Sequence, residues 1–129
     1  MIGNHTFSHP NLRKLSEEEV RKEIKTTHDP ICEVTGSCAL FRPPYGATNE
    51  TVRKVLGEFG YQQVLWSVDS LDWKYKKEAQ WVDHAMGQIR ERQNSVVLMH
   101  DIHSSTVNNV NKLIAKIKNF PNCVFDVDV

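Results

Sequence analysis

Short apolar runs alternate with amphipathic helical patterns along the chain, and this alternation restricts the fold more than any other feature. Four runs, at residues 39–41, 64–68, 96–99 and 124–127, have the length and aliphatic content of buried strands. Strands that alternate regularly with helices favour parallel pairing through right-handed crossovers. The sequence therefore predicts an α/β fold with parallel strands, about one domain in size.

Local signals predict the helix ends. Ser16 and Glu19 form a capping box that starts a helix over residues 16–28, and Pro30 is expected to end it because proline lacks an N–H donor. Gly60 is the predicted left-handed cap of a helix over residues 50–59. A third helix is expected over residues 78–92, and a fourth before the turn at Pro121. The predicted buried positions of the last two helices are Trp81, Val82, Ala85, Ile89, Val107, Val110, Leu113, Ile114 and Ile117.

The charge balance excludes some partners. Sixteen basic residues offset sixteen acidic ones in a chain of 129 residues, so no net field favours nucleic acid or an anionic membrane. No apolar stretch approaches the roughly 20 residues needed to span a bilayer, and the first residues lack the pattern of a signal peptide. We therefore expect no nucleic-acid partner and no membrane-spanning segment.

The chain has an odd number of cysteines. Cys32 and Cys38 flank a turn-rich loop short enough for a disulfide, and two free thiols are the alternative. Metal ligation by this pair is less favoured, because nothing nearby in the sequence completes a thiolate set. Cys123 opens the predicted last strand.

His5 and His9 are four residues apart, and on one helical turn two such imidazoles can chelate one metal ion. A hydrolytic metal site usually takes three protein ligands, often with a carboxylate as the third. Only four residues precede this pair, so the third ligand is not expected upstream within this chain. A solvated turn with two polar rings is the alternative interpretation.

Polar side chains follow the predicted strands. Arg42, Asp69, Asp72 and His100 each come after an apolar run. In parallel sheets and barrels, catalytic groups gather at the carboxyl ends of the strands. We therefore expect these four residues to lie along one rim of the sheet.

These segments, in this order, resemble the polysaccharide deacetylases of the NodB-homology family, which is carbohydrate esterase family 4. The family motif His-Ser/Thr-x-x-His matches His5, Thr6 and His9, and the motif Arg-x-Pro-Tyr matches Arg42, Pro44 and Tyr45. Two later family motifs match Asp69, Asp72 and Trp73, and then Leu98 and His100. The resemblance covers nearly the whole chain and implies a partial NodB-type (β/α) barrel over residues 1–129.

The family's first motif, Thr-Phe-Asp-Asp-Gly, should precede His5 and is absent. Its two aspartates supply the catalytic base and the third metal ligand. The chain is therefore expected to lack the N-terminal strand-helix-strand portion of the domain. An open barrel side of this kind exposes an unpaired edge and apolar interior, which predicts self-association and reduced stability.

The resemblance also implies metal ligands and an oxyanion hole. His5 and His9 would hold a divalent ion, zinc first and cobalt, nickel or manganese as alternatives, with Thr6 orienting the ligands. The backbone N–H of Tyr45 would complete the oxyanion hole. Arg42 would orient the aspartate base in complete relatives, and a surface salt bridge is its alternative role.

For the second half of the chain, the resemblance implies an acid and a substrate pocket. His100 would be the general acid that protonates the leaving amine, with Asp72 holding its tautomer. Trp73 and Leu98, together with Tyr45, would contact the substrate, although plain core packing is the alternative for Trp73 and Leu98. Asp69 ranks below Asp72, as a residue that caps a turn. The remaining histidines, His28, His84 and His103, are expected to be solvated.

The implied function is hydrolysis of the N-acetyl group of N-acetylglucosamine residues in peptidoglycan, with chitin-type oligomers next. The full-length family member would be extracellular or at the cell surface. A non-catalytic remnant that binds glycan or metal is the second hypothesis, which the missing aspartates favour. A relative that acts on small cyclic amides is the third.

Overall fold

The computed structural model describes residues 1–75, 77, 79–121 and 123–125, and it divides the chain into two compact units. The first unit is Met1–Leu65 and the second is Trp66–Val129. Each unit pairs two short parallel strands and packs helices beside them. This arrangement confirms the predicted α/β class with parallel pairing.

The first unit is built on strands β1 (Leu40–Phe41) and β2 (Gln62–Gln63). They are parallel, with Leu40 opposite Gln62. The N-terminal segment adds a parallel bridge at the other edge of β1. There the N–H of Asn4 donates to the carbonyl of Leu40 at 2.8 Å, and the N–H of Arg42 donates to the carbonyl of Asn4 at 2.9 Å. The residue before His5 is thereby attached to the sheet.

Helix α1 (Glu17–Thr35) begins at the predicted capping box. The hydroxyl of Ser16 accepts from the N–H of Glu19, and the Glu19 carboxylate accepts from the N–H of Ser16. The predicted end at Pro30 is wrong, because the helix continues through the proline to Thr35. Pro30 lacks the N–H that would donate within the helix, which destabilises α1 locally. Two contacts near the helix end offset this cost: the disulfide between Cys32 and Cys38, and the left-handed turn at Gly36, which has φ +67°.

Helix α2 (Glu50–Glu58) begins at the cap residue Asn49 and ends as predicted at Gly60. Gly60 has φ +72°, its N–H donates to Gly57, and the N–H of Tyr61 donates to Leu56. This pair of bonds is a Schellman motif. The core between α1, α2 and the strands is formed by Leu12, Val20, Ile24, Phe41, Val52, Val55, Leu56 and Tyr61.

The second unit is built on strands β3 (Val68–Asp69) and β4 (Val97–Leu98), which are parallel. The predicted strand over residues 64–68 is wrong in its extent. The N–H of Val64 donates to Phe41 in the first unit, whereas those of Ser67 and Val68 donate to Val96 in the second. One apolar run is thus divided between two sheets, and Leu65 is 41% exposed.

Helices α3 (Gln80–Arg90) and α4 (Ser104–Lys118) cover the second core. Helix α3 buries its four predicted residues and also Met86. Helix α4 buries Leu113 and Ile117, but Val107 is exposed, because the buried face carries Thr106 and Asn109 instead. The start predicted at residue 78 lies outside the described residues.

The predicted last strand is not found in its described part. Val124 and Phe125 are exposed and not in a strand, and residues 126 and 127 of that prediction lie outside the described residues. Cys123 packs as a free thiol against the second core. No described helix is long and apolar enough to cross a membrane.

Candidate functional site

The segment that carries His5 and His9 is a loop and not the predicted helical turn. Two of its residues have left-handed backbones, Thr6 at φ +70° and His9 at φ +57°. Internal hydrogen bonds offset this strain. The N–H of Thr6 donates to the side chain of Asn4 at 2.9 Å, and the N–H of His9 donates to the Thr6 hydroxyl at 3.2 Å. Thr6 therefore shapes the loop.

Two residues that sequence reasoning missed hold this loop from outside. The buried Asn4 donates to the carbonyl of Ile24 at 3.0 Å and to the hydroxyl of Tyr61 at 2.9 Å. The Glu23 carboxylate accepts the N–H groups of Phe7 and Ser8, at 3.1 and 2.9 Å, and the Ser8 hydroxyl at 2.7 Å.

These contacts also affect the Glu23 charge. Burial opposes ionisation, but the hydrogen bonds from Ser8 and Phe7 outweigh it and lower the pKa of Glu23. An acidic residue in the second turn of α1 was the only sequence signal for it.

The two imidazoles are placed beside each other. The rings of His5 and His9 have centroids 4.9 Å apart and an interplanar angle of 72°. His5 Nδ1 lies 2.5 Å from the carbonyl oxygen of Arg42, so this nitrogen carries the proton and the lone pair lies on Nε2. A backbone carbonyl that fixes the tautomer in this way is typical of metal-binding histidines.

The donor set fits a divalent ion only in part. Two neighbouring imidazoles are suitable ligands for zinc and similar ions. Among the described residues, no third histidine, cysteine or carboxylate joins them within ligand distance. The pair thus offers two of the three protein ligands of a usual hydrolytic site, and we expect weak binding.

Arg42 and Tyr45 flank the histidine loop. The Arg42 guanidinium donates to the carbonyls of Val64 and Leu65 at 3.2 and 3.3 Å, and burial lowers its pKa. The alternative role in a surface salt bridge is not found in the described part of the chain. Tyr45 follows two prolines, has φ +59° and is 69% exposed, with its ring 4.8 Å from that of His9.

In the second unit, Asp72 and His100 form the predicted carboxylate–histidine pair. Asp72 is fully buried, and its Oδ1 lies 2.8 Å from His100 Nδ1. Its Oδ2 accepts the backbone N–H of His100 at 2.6 Å and the hydroxyl of Thr106 at 2.7 Å. Burial alone would raise the pKa of Asp72, but the bonds from His100 and Thr106 lower it overall. The carboxylate therefore stays ionised and holds the Nδ1 proton of His100.

The other predicted residues have separate outcomes. Asp69 accepts the N–H of Leu71 at 2.9 Å, which confirms that it caps a turn. Trp73 is 48% exposed, so it is not plain core, and Leu98 is half-buried within β4.

Further residues were missed or misjudged from the sequence. Thr106 was missed, because a threonine near a helix start gives no signal for a partner 34 residues away. The expectation that His28, His84 and His103 are solvated is wrong, because all three are half-buried, and His28 also lies 2.8 Å from the Tyr61 hydroxyl.

Comparison with known proteins bears on the same motifs. The profile of a family described as polysaccharide deacetylase matches residues 1–64, which include the histidine loop, Arg42 and Tyr45. The chain belongs to the polysaccharide deacetylase family. It is 35% identical over 118 residues to the peptidoglycan-N-acetylglucosamine deacetylase PgdA of Listeria monocytogenes, which is 91% of this chain and 24% of that protein.

Solved structures agree on the fold. A CE4 family pseudoenzyme from Bacillus anthracis aligns with a TM-score of 0.81 and 32% identity, over 90% of this chain and 41% of the other. A family 4 carbohydrate esterase from Streptomyces lividans, in complex with acetate, aligns with a TM-score of 0.76 and 32% identity, over 90% of this chain and 59% of the other. These neighbours confirm the predicted fold class, while the chain spans less than two thirds of each relative.

Proposed function

We propose that this chain is part of a metal-dependent deacetylase that removes the N-acetyl group from N-acetylglucosamine residues of a cell-wall polysaccharide. Peptidoglycan is the preferred substrate and chitin-type oligomers are next. Relatives named peptidoglycan-N-acetylglucosamine deacetylase and chitooligosaccharide deacetylase support this order. A polymeric cell-wall substrate also implies an extracellular or cell-surface location. We propose that residues 1–129 all belong to the catalytic domain.

The observation that carries the proposal is the pairing of Asp72 with His100. Amide hydrolysis adds water across the carbonyl, breaks the C–N bond, and requires a proton for the leaving amine nitrogen. His100 is 35% exposed while Asp72 is 0% exposed, so the imidazole reaches solvent and its carboxylate partner does not. With Nδ1 held by Asp72, His100 would deliver the proton from Nε2.

The first unit would supply the ion and the carbonyl-binding groups. His5 and His9 would hold zinc, whose chemistry when bound is to polarise the acetyl carbonyl and activate water. The Tyr45 N–H would bind the developing oxyanion, on a turn stiffened by two prolines. Arg42 keeps the His5 tautomer through its carbonyl. In the second unit, Trp73 and Leu98 would contact the acetylated sugar.

Metal binding is tested by zinc titration in a calorimeter. With the Cys32–Cys38 disulfide intact, we expect weak binding at one site per chain, lost in His5→Ala and in His9→Ala, because two imidazoles provide all the protein ligands of this site. His84→Ala is the matched control, since its ring contacts Tyr75 and lies in the other unit. Equal zinc binding by the double variant of His5 and His9 would remove the metal assignment.

Catalysis is tested by acetate release from an N-acetylglucosamine oligomer over long incubations. We expect slow release, because loss of a general base alone typically costs about 10²–10⁴ in rate. His100→Ala and a chelator should each reduce the rate further. Fast release, without this rate loss, that a chelator abolishes and zinc restores would show that another carboxylate, such as Asp101 or Asp69, serves as the base.

A non-catalytic glycan- or metal-binding role is the second candidate. The two-ligand histidine site favours it, and the Bacillus anthracis neighbour is itself described as a pseudoenzyme. Oligomer binding with no acetate release above that of His100→Ala would select this role. Self-association of the chain stays a prediction, which light scattering on the purified chain tests.

A further inference from the structure

The end of helix α1 carries a second group of metal-type donors that the proposed function does not use. His28 and Cys32 lie one helical turn apart, and Cys38 follows the left-handed turn at Gly36. All three side chains are half-buried. Among the described residues, this is the group of three histidine, cysteine or acidic side chains whose ligand atoms lie within 4.8 Å of one another.

The distances suit one ion. Cys32 Sγ lies 3.4 Å from His28 Nε2 and 3.6 Å from His28 Nδ1. Two ligands of a tetrahedral zinc ion, a thiolate and an imidazole, are about 3.5 Å apart when their bonds are about 2.3 and 2.0 Å long. The α carbons of Cys32 and Cys38 are 5.2 Å apart, which allows a disulfide or two thiolates on one ion.

The imidazole has a partner that suits ligation. His28 Nδ1 lies 2.8 Å from the Tyr61 hydroxyl, which also accepts from the Asn4 side chain at 2.9 Å. The ring packs edge-on against Phe59, with centroids 5.0 Å apart. A proton on Nδ1 can be donated to the Tyr61 oxygen, which leaves the Nε2 lone pair available to bind an ion.

We propose that His28, Cys32 and Cys38 bind a thiophilic divalent ion such as Zn²⁺ when the disulfide is reduced. The oxidised and metal-bound forms exclude each other, because disulfide sulfurs are about 2.0 Å apart whereas two thiolates on zinc are about 3.8 Å apart. A water molecule would take the fourth position.

The exchange between the two forms balances. A dithiol reductant transfers two electrons, so the S–S bond of Cys32 and Cys38 breaks and the reductant becomes a disulfide. The two thiols then lose two protons as the ion binds. Both the disulfide and the metal-bound form close the seven-residue segment from Cys32 to Cys38, which contains the end of α1. Both therefore keep Cys38 packed against the first core. The ion thus replaces the covalent link under reducing conditions.

Cobalt(II) distinguishes this site from the histidine loop, because thiolate ligation adds a sulfur-to-cobalt charge-transfer absorption that imidazoles lack. The titration uses the whole chain with Cys123→Ser, reduced by a phosphine, so that Cys32 and Cys38 are the only thiols. We expect this absorption to saturate at one ion per chain. It should be absent from the oxidised chain.

Variants assign the ligands. Cys38→Ser removes one of the two thiolates, so it should abolish the charge-transfer absorption or reduce it by about half. His28→Asn should weaken cobalt binding about 10-fold or more. The double variant of His5 and His9 should keep the absorption, so failure of the proposed deacetylase site and failure of this one are separable. An absorption that Cys38→Ser leaves unchanged would overturn the assignment.

Loss of the disulfide can also unfold the chain, and circular dichroism resolves this outcome. If the reduced chain is folded, zinc should raise its melting temperature, and His28→Asn should remove most of that rise. If it is unfolded, zinc should restore the helical signal. A reduced chain that shows neither a thiolate absorption with cobalt nor a zinc-dependent gain in structure would refute the proposal.

Discussion

Replacing Asp72 by asparagine tests the central pair of the second unit with little change of shape. The carboxylate is fully buried and accepts three hydrogen bonds, from His100 Nδ1, the His100 N–H and the Thr106 hydroxyl. Asparagine has one acceptor oxygen where aspartate has two. If that oxygen takes the Oδ2 position, the amide NH₂ faces His100 Nδ1. Nδ1 must then accept, and the imidazole proton moves to Nε2.

The expected loss of stability follows from these three bonds. A hydrogen bond to a charged group contributes about 1.5–3 kcal/mol and a neutral one about 0.5–1.5 kcal/mol, so the exchange removes roughly 1 kcal/mol per bond. A neutral amide is easier to bury than a carboxylate, and this difference offsets part of the lost hydrogen-bond energy. We expect Asp72→Asn to lower the free energy of unfolding by about 1–2 kcal/mol. Asp72→Ala leaves three donors without an acceptor and should cost about 3–5 kcal/mol.

The effect of pH has a definite sign. The native state lowers the pKa of Asp72 below its ordinary value of 3.8, so it favours the charged form. The stability from this shift is fully present above pH 3.8 and is lost as the pH falls through the lower native value. The part of the difference between wild type and Asp72→Asn that comes from this shift should therefore shrink in acid.

Urea unfolding at pH 7, followed by tryptophan fluorescence, measures the loss, because Trp66, Trp73 and Trp81 all lie in the second unit. Asp69→Asn is the matched control, since Asp69 accepts one backbone N–H and is only half-buried. Nitrogen NMR of His100 reports the tautomer. Equal losses for the two variants, with the His100 proton still on Nδ1, would refute the reasoning.

Three further predictions concern the first unit. Replacing Cys32 and Cys38 together by serine should lower the free energy of unfolding by roughly 2 kcal/mol, the loop-closure value for a separation of 6 residues, as denaturant titration would show. In the same titration, Gly60→Ala should lower the free energy of unfolding by about 1 kcal/mol, because Gly60 has a φ of +72°. Gly57→Ala, inside α2 with open space at its β carbon, should raise it by up to about 1 kcal/mol. Equal effects of the two substitutions would contradict the helix-cap assignment. Glu23→Ala should weaken zinc binding about 10-fold in calorimetry, because its carboxylate fixes the histidine loop, and unchanged affinity would show that the loop holds itself.

Sequence patterns predicted those features that depend on neighbouring residues. The capping box at Ser16 and the Schellman turn at Gly60 are complete within a few residues, so their outcome in the structure matches the prediction. The family motifs, although far apart in the chain, are recognisable because each is a short local string. The link between Asp72 and His100 could be predicted only through them.

Tertiary contacts decided the rest. Helix α1 passes Pro30 because its far end is bonded to Cys38, and the histidine segment is a loop because Asn4 and Glu23 hold it. Contacts with distant residues also divide residues 64–68 between two sheets, and they place Thr106 against Asp72. Each of these features depends on a contact with a residue distant in the sequence. The energy of that contact exceeds the local conformational preference, and the contact produces no periodic pattern in the sequence. The sequence by itself determined the four α-helices, their order and the family, and the packing determined which segments form strands, where the elements end and which polar groups meet.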